Sequence, residues 1–138
     1  MLLCFVVRRC AVSPTGDKLY ITDWYHHRLN ILTRDGTPLV TFAEPELERP
    51  SGIHVTPAGQ VLVCGCLSHT IQQVDCMGRT KLASLVTLEK DGVGFPLSVY
   101  YSSTTSSIIV GQQLNDNKIM VFRVDKCVYV CNNCLNYL

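Results

Sequence analysis

The chain repeats itself about every 43 residues, and this periodicity restricts its fold more than any other feature. Ser13-Pro14-Thr15-Gly16 aligns with Thr56-Pro57-Ala58-Gly59 at an offset of 43. Arg34-Asp35-Gly36 aligns with Cys76-Met77-Gly78 at 42, and Pro50-Ser51-Gly52-Ile53-His54-Val55 with Pro96-Leu97-Ser98-Val99-Tyr100-Tyr101 at 46. Periods of about 40 to 45 residues are those of propeller blades.

Within each period the same signals recur in order. In the second, Ile53 to Val55 is a short β-rich run ended by the turn Pro57-Ala58-Gly59. Gln60-Val61-Leu62-Val63-Cys64 is nearly all apolar, as a strand covered on both faces should be. Thr70-Ile71-Gln72-Gln73-Val74 follows a loop, Asp75-Cys76-Met77-Gly78 turns the chain, and Thr80 to Leu88 is an outer strand before a loop that ends at Pro96. The first period matches with Lys18-Leu19-Tyr20-Ile21-Thr22, Arg28-Leu29-Asn30-Ile31-Leu32 and Pro38-Leu39-Val40-Thr41-Phe42. The third gives Ser107-Ile108-Ile109-Val110 and Lys118-Ile119-Met120-Val121-Phe122.

The expected fold is therefore all-β: a partial β-propeller of about two and a half to three four-stranded antiparallel blades, open rather than a closed ring. Residues 1–9 read as a leading strand or truncated preceding blade. Blades follow over about 10–49, 50–95 and 96–124, and 125–138 is a tail outside the repeat. A β-sandwich gives no reason for matching periods, and no window sustains the apolar spacing of a helical repeat.

Composition narrows the function classes. The 138 residues are 47% hydrophobic and 17% charged, with a net charge of +1, which places the chain among globular proteins and supplies no basic excess for nucleic acid. No window approaches the roughly 20 apolar residues of a membrane span. The opening Met1 to Val7 lacks the positive start and small-residue cleavage site of a secretory leader. The eight cysteines do not have a disulfide-scaffold spacing, and Cys64 and Cys66 share one strand face. Reduced thiols and a cytoplasmic location are expected.

Leu19-Tyr20-Ile21-Thr22-Asp23-Trp24-Tyr25-His26-His27-Arg28-Leu29 resembles the core of an NHL repeat, and Pro50-Ser51-Gly52-Ile53 resembles the entry to one. The likeness runs from about Cys10 to Val124 and is nearest to the C-terminal propeller of tripartite-motif-like, B-box-containing proteins. The second repeat departs from it with Gly65 and Thr70 in the columns of Asp23 and Arg28, and the third with Gly111 and Lys118. The Tyr-Ile-Thr-Asp string also resembles YWTD propellers, but the Arg28 column favours NHL. Asp23, Arg28, Gly36, Pro50, Gly52, Gly78, Pro96 and Lys118 are the structural positions of the repeat. The resemblance implies a propeller that binds protein or RNA, often beside zinc-binding ligase modules elsewhere in the chain.

His27, His69 and Asn117 occupy one loop column, where a left-handed backbone explains the residue types. Asp23 and Arg28 span one loop and are placed for a charge-assisted hydrogen bond. Propeller topology brings the loop between second and third strands to the same face as the link between blades. That face gathers Trp24, Tyr25, His26, His27, Arg28, Arg49, His69 and the segment Leu114-Asn115-Asp116-Asn117. Exposed aromatics and arginines are common interface anchors. Glu44, Glu46 and Glu48 beside Arg49 form an acidic rim suited to a basic protein segment.

No catalytic constellation emerges. His26 or His27 with His69 lacks an evident carboxylate orienter. Cys127, Cys131 and Cys134 want a fourth ligand for zinc. No phosphate loop or nucleophile elbow appears. The expectation is a non-catalytic module that recognises a protein partner for a tripartite-motif-like adaptor or ubiquitin ligase, without cofactor or metal. Self-association through exposed blade faces is a further expectation. The alternatives are an RNA-binding propeller and a piece of a six-bladed, calcium-dependent lactonase or esterase, whose axial Asp, Glu and Asn the inner strands lack.

Overall fold

The computed structural model of the chain describes residues 7–113 and 119–123. Three antiparallel sheets succeed one another along the chain. The first holds β1 (Val7–Val12), β2 (Lys18–Asp23), β3 (Arg28–Thr33) and β4 (Pro38–Phe42). The second holds β5 (Pro50–Val55), β6 (Val61–Gly65), β7 (Thr70–Val74) and β8 (Lys81–Thr87). The third holds β9 (Pro96–Ser102), β10 (Ser107–Gln112) and β11 (Ile119–Arg123). Within each sheet spatial order follows chain order, so neighbouring strands are joined by hairpins. These sheets are blades, and the described residues form an open, partial β-propeller.

Register explains the repeat. Tyr20 pairs with Ala11 and Ile31, and Leu62 pairs with His54 and Gln73, so Tyr20 and Leu62 hold the same position in successive blades. Blade β9–β11 continues the series, with Tyr100 opposite Ile109. Ala11, His54 and Tyr100 thus form one column on the inner strands.

Apolar seams hold the blades together. In the first seam Tyr20, Leu29, Ile31 and Phe42 meet Val61, Val63 and Val74, with Leu47 of the link between blades added. In the second, Leu62, Cys64, Ile71 and Val86 meet Val99, Ile108 and Val110. Strand β6 supplies both seams, since Val61 and Val63 face one way and Leu62 and Cys64 the other. This accounts for its unbroken apolar sequence and complete burial. Burying each such aliphatic side chain contributes about 1.5 to 3 kcal/mol.

Polar ties cross both seams. The Thr22 hydroxyl donates to Ser51 O at 2.9 Å, the Ser51 hydroxyl to Pro96 O at 2.9 Å, and the Tyr20 hydroxyl to Cys76 O at 2.8 Å. Gly52 permits the close approach of β5 to β9, because a Cβ there would lie 2.5 Å from Leu97 O and 2.6 Å from Ser98 Cα. Gly78 turns at φ 71° against Ile31 of the preceding blade, so it requires both a left-handed backbone and a missing side chain, whereas Gly36 in the same column, at φ 90° and facing open space, requires the backbone alone.

The loop expected before Pro96 contains one helical turn, α1 (Leu88–Asp91). Thr87 caps it by accepting a hydrogen bond from Lys90 N at 3.1 Å. Gly92, left-handed at φ 77°, ends it with an N–H to Leu88 O. Four residues are too few to show helical periodicity in a sequence.

Candidate functional site

Three segments meet around Arg49 at one end of the first seam. The residue has a left-handed backbone, φ 52°, immediately before Pro50. Its N–H donates to His27 Nδ1 at 3.0 Å, and its carbonyl accepts from Cys66 N at 3.1 Å. Leu67 N donates to Glu48 O at 3.0 Å beside it. A backbone N–H can only donate, so Nδ1 of His27 is the acceptor nitrogen and the ring proton resides on Nε2. His27 is itself left-handed, φ 55°. The β2–β3 loop, the β4–β5 link and the β6–β7 loop are thereby tied into one rigid platform.

The Arg49 guanidinium lies 5.2 Å from the Tyr25 ring centre and 5.8 Å from that of Trp24. On β1, Arg8 lies 4.8 Å from the Trp24 centre. These distances are those of cation–π contacts. Trp24 is half-buried, whereas Tyr25 is 61% exposed. Arg8 lies outside the sequence candidates, because the recognisable repeat runs only from about Cys10. Carrying the offset of 43 backward sets Arg8 in the column of Ser51 at a strand entry, which is the signal that would have found it.

Asp23, immediately before the aromatics in sequence, is fully buried at the end of β2. Its carboxylate accepts from His26 N at 3.2 Å and faces His26 Nδ1 at 2.8 and 3.0 Å. Arg28 Nε stands 3.6 Å away as an ion pair. The carboxylate thus orients His26, a partner that the sequence did not reveal. Its effect is to shape the loop that presents Trp24 and Tyr25.

The second seam repeats the platform with other chemistry. His69, φ 56°, accepts at Nδ1 from Phe95 N at 3.0 Å, and Phe95, φ 49°, again precedes a proline. The two rings meet edge to face with centres 4.4 Å apart. In place of Asp23 and Arg28 stand Gly65 and Thr70, and the Thr70 hydroxyl lies 3.4 Å from that of Ser68. Asn117, Lys118 and the segment 114–117 of the third period lie outside the described residues, as do Cys127, Cys131 and Cys134.

Of the glutamates expected to form an acidic rim, two are occupied. Lys81 Nζ lies 3.3 Å from Glu44 and 2.5 Å from Glu46. The Lys81 hydrogen bond holds the Glu46 carboxyl below the usual range, and the same bond raises the Lys81 ammonium. Glu48 is exposed. Cys10, Cys64 and Cys66 are free thiols, and burial pushes those of Cys64 and Cys66 upward, away from reactive thiolate. Cys76 is disulfide-bonded, so the expectation of wholly reduced cysteines does not extend to it.

Among the described residues, no group of three or more His, Cys, Asp or Glu is arranged to hold a metal, and no helix is long and apolar enough to cross a membrane. At the opposite end of the first seam, Ser13, Pro14, Tyr20, Pro57 and Cys76 line a hollow of about 30 Å³, room for little more than a water molecule. The loop end is the better candidate, because its anchors project rather than line a cavity.

No family model and no curated protein matches the chain. Solved structures do. The chain resembles Kuenenia stuttgartiensis hydrazine synthase with a TM-score of 0.72 and 20% identity, covering 86% of this chain and 32% of that one. It resembles virginiamycin B lyase from Staphylococcus aureus with a TM-score of 0.57 and 16% identity, covering 85% and 41%. A catalytically inactive form of that lyase with quinupristin gives 0.58 and 14%, covering 90% and 43%. The chain thus spans well under half the length of each neighbour. At these identities the likeness is one of fold: the chain is built as part of a β-propeller. It also corrects the expectation that the chain marks a non-enzyme. The neighbours are named as a synthase and a lyase, so a propeller of this form is no sign of a non-catalyst, and that expectation is withdrawn.

Proposed function

We propose that the loop end of the first seam is a protein-recognition surface, carried by a propeller of the NHL type within a tripartite-motif-like protein whose ligase modules lie outside these residues. The observation that carries the recognition reading is Tyr25, largely exposed, beside a half-buried Trp24 and fixed by Arg49. Large rigid aromatics held by a braced backbone lose little conformational freedom on binding, which is why such residues become hot spots. The NHL assignment rests on the Asp23-to-Arg28 string and the Pro50-Ser51-Gly52-Ile53 entry.

The test is selection of displayed peptides on the full chain, followed by titration against Trp24→Ala and Tyr25→Ala. Selected peptides should bind the parent chain and lose about tenfold or more on either variant, while circular dichroism shows both variants folded. Absence of enriched peptides, or equal binding to the variants, would overturn the reading.

A further inference from the structure

We infer that the partner segment is acidic, and that Arg8 and Arg49 receive its carboxylates above the faces of Trp24 and Tyr25. This inference rests on the recognition reading above and specifies the chemistry of its partner. Three observations converge on it.

First, both guanidinium groups have aromatic partners but no carboxylate partner among the described ion pairs. A guanidinium that rests against a ring through its face keeps its in-plane N–H fork, the part that matches a carboxylate two-to-two. Secondly, the surrounding acids are committed elsewhere. Asp23 is buried against His26 and Arg28, while Glu44 and Glu46 hold Lys81. Glu48 remains as the one exposed acid flanking Arg49. At the aromatics two arginines stand beside this one uncommitted glutamate, while Glu44 and Glu46 share a single ammonium and keep one net negative charge between them.

Thirdly, Arg49 is placed rather than merely exposed. Its left-handed backbone is clamped by His27 on one side and by Cys66 on the other. The side chain is then presented at low entropic cost when a carboxylate arrives.

The same features disfavour a nucleic-acid strand. Base stacking needs free aromatic faces. Here Trp24 carries a guanidinium from each of two arginines, and Tyr25 shares one of them. A short peptide with one or two carboxylates beside an apolar residue fits instead, its apolar group falling near the exposed Tyr25 and Leu67.

Trp24 is the only tryptophan in the chain, so its fluorescence reports on this site alone. Three probes are titrated into the full chain: a peptide of alternating glutamate and leucine, its lysine counterpart, and single-stranded oligouridylate. The acidic peptide should shift Trp24 emission saturably and weaken with added salt. Arg49→Ala and Arg8→Ala should each weaken it about tenfold. Arg49→Lys, which keeps charge and fold but loses the planar fork, should fall in between, and Glu48→Gln should tighten binding. Phe95→Leu, at the equivalent place on the second seam, should bind as the parent does.

Trp24-dependent binding of the lysine peptide at equal or higher affinity would overturn the acidic partner while leaving protein recognition in place. Binding of oligouridylate alone would overturn both. Unchanged affinity in folded Arg49→Ala would remove arginine from the site.

Discussion

The two loop platforms have one backbone and two chemistries. At the first seam His27 accepts from Arg49 N, and at the second His69 accepts from Phe95 N, both at 3.0 Å with all four residues left-handed. Each clamp sets the entry of the next blade just before a proline, whose fixed φ helps start the strand. The side chains then diverge. Arg49 extends over two aromatic rings, whereas Phe95 folds against the ring of its own histidine. The histidine column therefore belongs to the scaffold, and the residue it clamps carries the opportunity for function. With Nδ1 of both histidines engaged by the backbone, each ring has its Nε2–H left to offer, a donor and not an acceptor.

The hardest way to break this comparison is to remove the scaffold common to both platforms. Gly52→Ala forces a Cβ to within 2.5 Å of Leu97 O, and neither strand can withdraw without opening the second seam. The expected cost is about 3 kcal/mol, read as a shift in the chemical denaturation midpoint. Ser98→Ala at the corresponding position of the third blade should change stability little. Equal stability of Gly52→Ala and the parent would show that β5 and β9 are not in close contact.

Next in size is the loss of the buried carboxylate found only at the first platform. Asp23→Ala deprives His26 and Arg28 of their shared partner. Because both partners are partly exposed, the cost should be about 2 kcal/mol, below that of breaking a fully buried pair. Trp24 emission should shift red as its loop loosens. The converse transplant, Gly65→Asp, should fail to stabilise the second platform, since a side chain at Gly65 meets the hydroxyls of Ser68 and Thr70.

Removing the clamps one at a time sharpens the contrast. His27→Ala and His69→Ala each leave one partly buried N–H without its acceptor, at about 1 kcal/mol apiece. The two should be alike in stability and unlike in binding: only His27→Ala should weaken the acidic peptide, by releasing Arg49. Asparagine tolerates the left-handed region and offers an amide oxygen, so His27→Asn should recover stability in part. Equal losses of binding in both histidine variants would refute the division of labour between platforms.

How far the sequence disclosed these features depends on whether each is periodic. The strands, turns and inter-blade links recur at fixed columns, so the open propeller and the left-handed backbone of His27 and His69 were legible from residue type and offset alone. The helical turn at Leu88–Asp91 occurs once and is set by two caps, which explains why it passed as loop. Arg8 is obscured because the recognisable repeat begins at about Cys10, whereas β1 extends over Val7–Val12. The acidic rim was a matter of pairing in space. Glu44 and Glu46 lie two apart in sequence, but Lys81 comes from the outer strand of the following blade, 35 residues beyond Glu46. No local pattern reports such a pairing. The same holds for function: the enzymes among the structural neighbours have this architecture without its sequence, so chemistry must be sought in side chains rather than in the blade count.

The inner-strand column gives the smallest and most specific contrast between the seams. Ala11 occupies it in the first blade and His54 in the second, where the imidazole lies 4.6 Å from the Tyr100 ring. Burial lowers the tendency of His54 to take up a proton. Its folded value is thus depressed below that of the unfolded chain, where an ordinary histidine titrates near about 6.5. At neutral pH both states are largely unprotonated and no penalty arises. As pH falls through the unfolded value, the unfolded chain binds the proton first, and stability declines until the folded form is protonated too. Because the ring remains partly exposed, the decline should stay under about 1 kcal/mol. His54→Phe should keep the contact with Tyr100 and abolish this part of the slope in urea midpoints measured between neutral and mildly acidic pH. A slope that persists unchanged in His54→Phe would assign the acid sensitivity to other groups and remove this difference between the two seams.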